Sequence, residues 1–133
     1  MVIRWREEGP GPLLACGLDA ELIGRFAKLA GSERPWPQIF SEREAAHAAG
    51  LADTPEGLCA SFCCKEALLK ALEETFPYPE CELLYEPGRD VQELLLPAGM
   101  IERHRITFAR ARFLPCPAGE LAVAVCLFGE RRA

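Results

Sequence analysis

The sequence predicts an α+β domain in which an antiparallel sheet packs against one long buried helix. Residues 55–74 have no proline after the first position and are almost wholly apolar over 58–72, as in a helix that is buried on most sides. Helical patterns dominate the first half of the chain and strand patterns dominate the second. This order favours an α+β fold over an α/β fold, in which strands and helices alternate. The length of 133 residues is that of a single domain.

The domain is expected to span residues 13–129. A charged start followed by Gly-Pro-Gly-Pro at 9–12 indicates an N-terminal tail over 1–12, and 130–133 form a short C-terminal tail. The start lacks the apolar core of a signal peptide, and no run approaches the ~18 apolar residues of a membrane helix. We therefore expect a cytoplasmic protein without membrane contact.

The first strand is predicted at 13–16, a short apolar run typical of a buried strand. The Gly-Leu-Asp sequence that follows is expected to turn the chain into a helix, with Asp19 as its N-cap. Apolar residues then recur at helical spacing as far as position 30, and Gly31 is placed to end the helix.

Two further helices have start signals in the sequence. Ser41 and Glu44 form a Ser-x-x-Glu capping box, which predicts a short helix ending at Gly50. Pro55 stands at the first position of the longest helix, 55–74. Because this helix is mostly buried, the charged residues inside it require an explanation.

Four strands are predicted after the long helix. The segments 81–85 and 91–96 flank a Glu-Pro-Gly-Arg turn and are expected to form a hairpin. Residues 106–114 alternate in part, and 121–128 form a continuous apolar run of the kind found in the middle of a sheet.

Charge and cysteine content exclude several classes of protein. The net charge is −5, so binding of nucleic acid by bulk electrostatics is not expected. Seven cysteines are an odd number, and their spacing with only two histidines does not form a four-ligand zinc site. We expect most of them to be small buried hydrophobic residues in a reducing compartment.

The residues best suited to chemistry lie inside the long helix. The chain has no phosphate-binding glycine-rich loop, no nucleophile elbow and no His-Glu-x-x-His motif. Lys65, Glu66 and Lys70 interrupt the apolar run, and Glu66 and Lys70 are one turn apart. Glu66 and Lys70 form either an exposed salt bridge or, with Asp19 as second carboxylate, part of a metal site. The alternative for Asp19 is a plain N-cap.

Two motifs resemble those of holo-acyl-carrier-protein synthases in the 4′-phosphopantetheinyl transferase superfamily. Residues 15–25, Ala-Cys-Gly-Leu-Asp-Ala-Glu-Leu-Ile-Gly-Arg, resemble their Gly-(Ile/Leu)-Asp opening. Residues 62–70, Phe-Cys-Cys-Lys-Glu-Ala-Leu-Leu-Lys, resemble the (Trp/Phe)-x-x-Lys-Glu-(Ala/Ser)-x-x-Lys signature. Between them, 39–44 resembles the short second helix of the small single-domain type. The resemblance spans about 13–128 and implies the 4′-phosphopantetheinyl transferase-like fold.

The resemblance implies transfer of 4′-phosphopantetheine from coenzyme A to a serine of an acyl or peptidyl carrier protein, with release of adenosine 3′,5′-bisphosphate. Asp19 and Glu66 would hold Mg²⁺ against the coenzyme A pyrophosphate. Lys65 and Lys70 would offset phosphate charge in the transition state. The attacking hydroxyl belongs to the carrier, and either Glu66 or a metal-bound water beside it would accept the proton.

The resemblance also implies partners. In this family, basic residues of the first helix face the acidic carrier protein. Arg25 stands at the position of the family arginine, and Lys28 lies three residues on; the alternative for both is a solvated helix face. The single-domain synthases build their sites between subunits, which implies a homotrimer, and their activity implies a role in fatty acid biosynthesis.

The chain departs from the family on the nucleotide side of the coenzyme A site. The Ser-x-(Ser/Thr)-His segment of the family corresponds to 111–116, where Cys116 replaces the histidine. The Gly-Thr-Gly after the long helix is absent, and the Gly-Lys-Pro turn is Gly-Arg-Asp at 88–90. Arg110 or Arg112 would supply phosphate contacts instead. The alternatives are a catalytically degenerate homologue that binds a carrier protein or nucleotide without turnover, and a structural domain with chance motifs.

Overall fold

The computed structural model describes residues 11–114 and 116–130, which contain a four-stranded antiparallel sheet. The strands are β1 (Leu13–Leu22), β2 (Val91–Glu93), β3 (Ile106–Leu114) and β4 (Glu120–Gly129). They lie in the order β1-β4-β3-β2. The predicted α+β class is confirmed, whereas the predicted tails lie largely outside the described residues.

The helices of the described residues are α1 (Glu42–Ala49), α2 (Thr54–Leu72) and α3 (Ala98–His104), with 3-10 helices at Ile23–Leu29 and Tyr78–Glu80. α2 packs across β1 and β4, and ten of its nineteen residues are buried. It is therefore the long buried helix that the sequence predicts. None of these helices is long and apolar enough to cross a membrane.

The predicted capping box of α1 is present, and α2 begins one residue before Pro55 with Asp53 as a cap that the sequence analysis did not predict. The Ser41 hydroxyl accepts a hydrogen bond from the Glu44 backbone N–H, and the Glu44 carboxylate accepts one from the Ser41 N–H, both at 3.1 Å. At α2, the Asp53 carboxylate accepts a hydrogen bond from the Glu56 N–H at 3.1 Å. These side chains satisfy N–H groups that have no partner within the helix, so they fix where each helix begins.

β1 is longer than predicted, and Asp19 lies within it. The ladder with β4 continues to Leu22, and Asp19 is paired with Val123. The 3-10 helix begins only at Ile23 and has no side-chain cap, so the prediction that Asp19 is an N-cap is wrong. The local sequence could not reveal this, because the strand that satisfies the backbone of residues 17–22 lies at the far end of the chain.

The course of β1 depends on Gly17, where the strand touches α2. A Cβ atom at this position would lie 1.9 Å from the Ala67 carbonyl oxygen and 2.9 Å from the Ala71 nitrogen. Only glycine lets the two backbones approach this closely. Because side chains two residues apart share a face of a strand, the contact also turns Asp19 towards α2.

The segment after α2 does not form the predicted hairpin between 81–85 and 91–96. These two segments share the isolated bridge Glu82 to Leu95, and β2 pairs with β3 instead. α3 follows where no helix was predicted. Its N-cap is Pro97 without a side-chain hydrogen bond, so the sequence carries none of the polar cap signals that mark α1 and α2.

Buried side chains bond backbone groups of this segment on either side of the bridge at Glu82. The Lys65 ammonium donates a hydrogen bond to the Cys81 carbonyl. The Glu44 carboxylate accepts one from the Leu83 N–H at 2.9 Å. These bonds satisfy buried backbone groups that the bridge between Glu82 and Leu95 does not use.

Two apolar clusters form the interior. The larger lies between α2 and the sheet, and the smaller packs the 3-10 helix Ile23–Leu29 against α1 and α2 around Phe26 and Phe40. The fully buried cysteines are Cys59, Cys63, Cys64 and Cys81. The prediction of buried cysteines is thus confirmed for four of the seven, whereas Cys16, Cys116 and Cys126 are at least partly exposed.

Gly17→Ala should destabilise the fold, because the new methyl group would meet backbone atoms rather than a movable side chain. We expect the free energy of unfolding in urea to fall by about 1–3 kcal/mol. Gly24→Ala is the matched control, since no atom lies within 4 Å of a Cβ at that position. Equal unfolding free energies for the two variants would contradict the close contact.

Candidate functional site

Asp19 lies on the face of β1 that meets α2, and its side chain is only 11% exposed. Its Oδ1 atom accepts a hydrogen bond from the Lys70 ammonium at 3.1 Å. Its Oδ2 atom is buried and has no hydrogen-bond partner. A buried carboxylate oxygen without a donor is unfavourable, so this atom is suited to contact a cation.

Lys70 and Glu66 lie one helical turn apart on α2, on the side of the helix that faces Asp19. The Lys70 ammonium also donates to the Leu18 carbonyl at 2.9 Å, although its side chain is 56% exposed. The hydrogen bond to Asp19, supported by the charges of Asp19 and Glu66, raises the pKa of Lys70. The structure therefore brings Asp19, Glu66 and Lys70 to one side of α2.

Glu66 has a partner that the motifs did not indicate. The Tyr78 hydroxyl donates a hydrogen bond to Glu66 Oε2, and its ring packs against Phe76 with the centroids 5.1 Å apart. Burial, and after it the bond to Glu66, raises the pKa of Tyr78, so the hydroxyl stays protonated at neutral pH and remains a donor. Tyr78 thus fixes one oxygen of the Glu66 carboxylate.

A third carboxylate, Glu21, lies two residues from Asp19 on the same face of β1. Burial, and after it the Asp19 carboxylate, raises the pKa of Glu21. Arg25 pairs with Glu21, and its guanidinium carbon lies 5.9 and 5.8 Å from the ring centroids of Phe26 and Phe62. The sequence analysis missed Glu21 because it placed this residue in a helix, whereas the two-residue period of a strand puts it beside Asp19.

Arg25 and Lys28, which the resemblance places against a carrier protein, are both exposed on the 3-10 helix Ile23–Leu29. This helix packs against α2 and directly follows the strand that carries Asp19. The two basic side chains are therefore available to a partner near the carboxylates, and their contact with a carrier stays a prediction.

Lys65 lies in the interior of the protein. The side chains of Lys65 and Glu44 are each 1% exposed, and the Lys65 ammonium is 2.8 Å from the Glu44 carboxylate. The ammonium also donates to the Tyr78 carbonyl at 2.6 Å and to the Cys81 carbonyl. All three N–H donors are used within the protein, which does not fit the predicted contact between Lys65 and a phosphate.

Glu44 connects three parts of the fold. Besides the Ser41 and Leu83 N–H groups and the Lys65 ammonium, its carboxylate accepts a hydrogen bond from the Ser61 hydroxyl. A buried charge is tolerated only when it is paired and hydrogen-bonded, and both conditions are met here. The network ties α1 and the segment 78–83 to α2, the helix that carries Glu66.

A cavity of about 440 Å³ is lined by Arg112 of β3 and the turn at 88–90. Arg110 does not line this cavity, and its guanidinium carbon lies 5.1 and 5.5 Å from the centroids of the Phe108 and Phe128 rings. Of the two arginines considered for phosphate contacts, Arg112 is therefore the one that lines this cavity. Neither Asp19 nor Glu66 lines this cavity.

The chemistry of the two carboxylates fits Mg²⁺. In proteins this ion is usually bound by one or two carboxylates together with substrate phosphate oxygens and water. Asp19 offers a buried oxygen without a donor, and Glu66 lies on the same side of α2. Within residues 11–114 and 116–130, no group of three His, Cys, Asp or Glu side chains is arranged to bind a metal ion alone. The chain would thus supply part of a coordination shell.

The outer face of the sheet, which is turned away from α2, is apolar and exposed along β1. Leu18 is 60% exposed and Leu22 is 55% exposed. Their neighbours on β4 include Ala124, paired with Leu18, and Ala122. These side chains form a candidate interaction surface on the outer face of the sheet.

A model of the 4′-phosphopantetheinyl transferase superfamily matches residues 15–126, which is most of the chain. The chain belongs to this superfamily. A holo-[acyl-carrier-protein] synthase of Salinispora arenicola is 33% identical over 78 residues, which are 56% of this chain and 64% of that protein. The match therefore spans slightly less than two thirds of the length of that relative.

Solved structures of holo-acyl-carrier-protein synthases share the fold of this superfamily member. The Plasmodium yoelii structure has a TM-score of 0.69 at 12% identity and covers 90% of this chain and 98% of its own. The Neisseria meningitidis structure has a TM-score of 0.70 at 14% identity, and the match covers 87% of this chain and 98% of the Neisseria chain. The Helicobacter pylori structure, a complex with coenzyme A, has a TM-score of 0.65 at 18% identity. The match covers 84% of this chain and 98% of the Helicobacter chain. At these identities the likeness shows the fold.

Lys65→Met should destabilise the protein far more than Lys70→Met, although both changes remove an ammonium group from α2. The first leaves the Glu44 charge buried without its partner, which costs about 3–5 kcal/mol. The second removes an exposed pair worth at most about 1 kcal/mol. Urea denaturation of both variants measures the difference, and similar losses would contradict a structural role for Lys65.

Proposed function

We propose that this superfamily member transfers 4′-phosphopantetheine from coenzyme A to a serine of an acyl or peptidyl carrier protein, such as that of fatty acid biosynthesis, with Mg²⁺ as cofactor. The observation that carries the proposal is the contact of Asp19 with Lys70 beside Glu66. The two carboxylates are suited to a cation, and the Lys70 ammonium is suited to phosphate. The cytoplasm, where thiols stay reduced, suits a chain whose cysteines are all free.

In the proposed reaction the carrier serine oxygen attacks the phosphorus that bears pantetheine. The bond from that phosphorus to the bridging oxygen of the pyrophosphate breaks, and adenosine 3′,5′-bisphosphate leaves. Mg²⁺ bound by Asp19 and Glu66 would offset pyrophosphate charge. Lys70 is a cation at neutral pH, since its pKa is raised, and stabilises charge on the transferred phosphoryl group. Glu66, or a water beside it, takes the serine proton.

We assign Lys65 a positioning role in place of a phosphate contact. Its ammonium donates a hydrogen bond to the Tyr78 carbonyl at 2.6 Å, and the Tyr78 hydroxyl donates one to the Glu66 carboxylate. The buried pair with Glu44 therefore supports the residue that orients the Glu66 carboxylate. Partners of this kind are commonly needed to keep metal ligands in place.

The carrier protein would dock on the 3-10 helix Ile23–Leu29. Arg25 and Lys28 form a local positive surface there, which lets a protein with a net charge of −5 bind an acidic partner. Arg25 pairs with Glu21 in the isolated chain, and a carboxylate of the carrier would compete for that guanidinium.

We also propose that the protein assembles as a homotrimer through the outer face of the sheet. Leu18 and Leu22 supply exposed apolar surface there. Arg112 lines a cavity that includes neither Asp19 nor Glu66, so the nucleotide half and the metal half of a coenzyme A site are separate in one chain. Neighbouring chains would bring the two halves together.

The transfer itself is tested by incubating the purified protein with coenzyme A, Mg²⁺ and an apo carrier protein, and measuring the intact mass of the carrier. We expect the carrier to gain one phosphopantetheine group, and to gain none when a chelator removes Mg²⁺. Binding of coenzyme A or of the carrier without transfer to any apo carrier would favour the degenerate homologue instead. The observation behind that alternative is the segment 111–116, which lacks the histidine of the family.

Glu66→Gln should abolish transfer while the fold is retained, because it keeps the size of the side chain and removes the charge that would bind Mg²⁺. Lys70→Ala should do less damage and cost about 2–4 kcal/mol of transition-state stabilisation, as for the loss of one electrostatic donor. Glu102→Gln, at an exposed carboxylate of α3, is the control. If Glu66→Gln is as active as Glu102→Gln, the assignment of Glu66 as a Mg²⁺ ligand is wrong.

Leu18→Asp should convert the assembled protein to a monomer, because it places a charge in the proposed interface. Leu95→Asp is the matched control, since Leu95 is also exposed, at 41%, but lies beyond the end of β2. Light scattering of the unmodified chain and both variants gives the molar mass. A monomeric unmodified protein would refute the proposed assembly.

A further inference from the structure

Cys16 and Cys126 face each other across the ladder between β1 and β4. They are direct partners in the register, and their Sγ atoms are 3.0 Å apart. The Cα atoms of opposed residues in an antiparallel pair lie about 4.5–5.5 Å apart, within the range of about 4.4–6.8 Å that a disulfide spans. Small side-chain rotations are therefore sufficient to link the two sulfur atoms.

We propose that Cys16 and Cys126 form a reversible intrachain disulfide when the protein meets a small-molecule disulfide such as oxidised glutathione. The proposal is independent of the proposed transfer reaction. Both thiols lie on the outer face of the sheet, whereas Gly17 and Asp19 lie on the face of β1 that meets α2.

Cys16 reacts first in the unassembled chain, because it is exposed there whereas Cys126 is half-buried. Burial, and after it the contact with Cys16, raises the pKa of Cys126 to about 11, so Cys126 is a poor nucleophile towards a reagent in solution. The Cys16 thiolate attacks oxidised glutathione, forms a mixed disulfide and releases one glutathione. Cys126 then loses its proton and attacks Cys16 Sγ, and the second glutathione leaves. Two protein thiols are oxidised, and one glutathione disulfide is reduced to two thiols.

The second step is favoured by position. Cys126 is held beside the mixed disulfide by the strand register, so its attack is intramolecular and gains from proximity despite the raised pKa of the thiol. Of the five cysteines outside this pair, Cys116 is the one that is partly exposed, and the other four are buried. Burial raises the pKa of the fully buried thiols, which are Cys59, Cys63, Cys64 and Cys81.

The test treats the full chain with excess oxidised glutathione. The protein is diluted until light scattering shows a monomer, so that the outer sheet face, through which we propose assembly, is open. Remaining thiols are blocked with N-ethylmaleimide before digestion with trypsin and mass spectrometry. Cys16 falls in peptide 7–25, and Cys126 falls in peptide 113–131 together with Cys116. We expect these two peptides to be linked, two reactive thiols to be lost, and dithiothreitol to restore both.

Three serine variants identify the linked residues, after circular dichroism has shown that each is folded. The link should persist in Cys116→Ser and be absent from Cys16→Ser. In Cys126→Ser the reaction should stop at a glutathione adduct on Cys16. A link that survives in Cys126→Ser, or unmodified protein that keeps all seven thiols, would overturn the proposal.

Discussion

The contact between Gly17 and the backbone of α2 sets the geometry of the whole site. Because a Cβ at Gly17 would lie 1.9 Å from the Ala67 carbonyl oxygen, strand and helix approach more closely than any other residue would allow. The next residue on that face is Asp19, which consequently lies 3.1 Å from the Lys70 ammonium and on the side of α2 that carries Glu66. The Gly-Leu-Asp sequence therefore works as one unit: glycine joins the strand to the helix, and the aspartate meets the charges of the helix.

The buried pair of Glu44 and Lys65 holds the same helix from its other side. It connects α1, α2 and the segment 78–83 through hydrogen bonds to the backbone of that segment. Tyr78 links this network to the site, since its carbonyl is bonded to Lys65 and its hydroxyl to Glu66. Adjacent charged residues in one helix thus serve opposite purposes, with Lys65 turned inward and Glu66 turned to the site.

Sequence analysis predicted the features that depend on local chemistry. The capping box at Ser41 and the length of α2 follow from short-range patterns. Two motifs identified Asp19, Glu66 and Lys70 as site residues, and of these Asp19 and Lys70 are in direct contact. It failed where distant residues decide the structure. The strand through Asp19 depends on pairing with β4, and Glu21 was missed with it. The burial of Lys65 depends on Glu44, a residue whose capping role in α1 gives no hint of a second role in the core.

The proposed reaction depends on Asp19 and Glu66 binding one divalent cation together. Mn²⁺ can replace Mg²⁺ for this purpose, because both prefer oxygen ligands and Mn²⁺ scatters X-rays anomalously. Crystals grown with Mn²⁺ and coenzyme A should give an anomalous peak that contacts Asp19 Oδ2 and the Glu66 carboxylate, and this peak should be absent from crystals of Glu66→Gln. A peak bound elsewhere, or no peak at saturating Mn²⁺, would contradict the account.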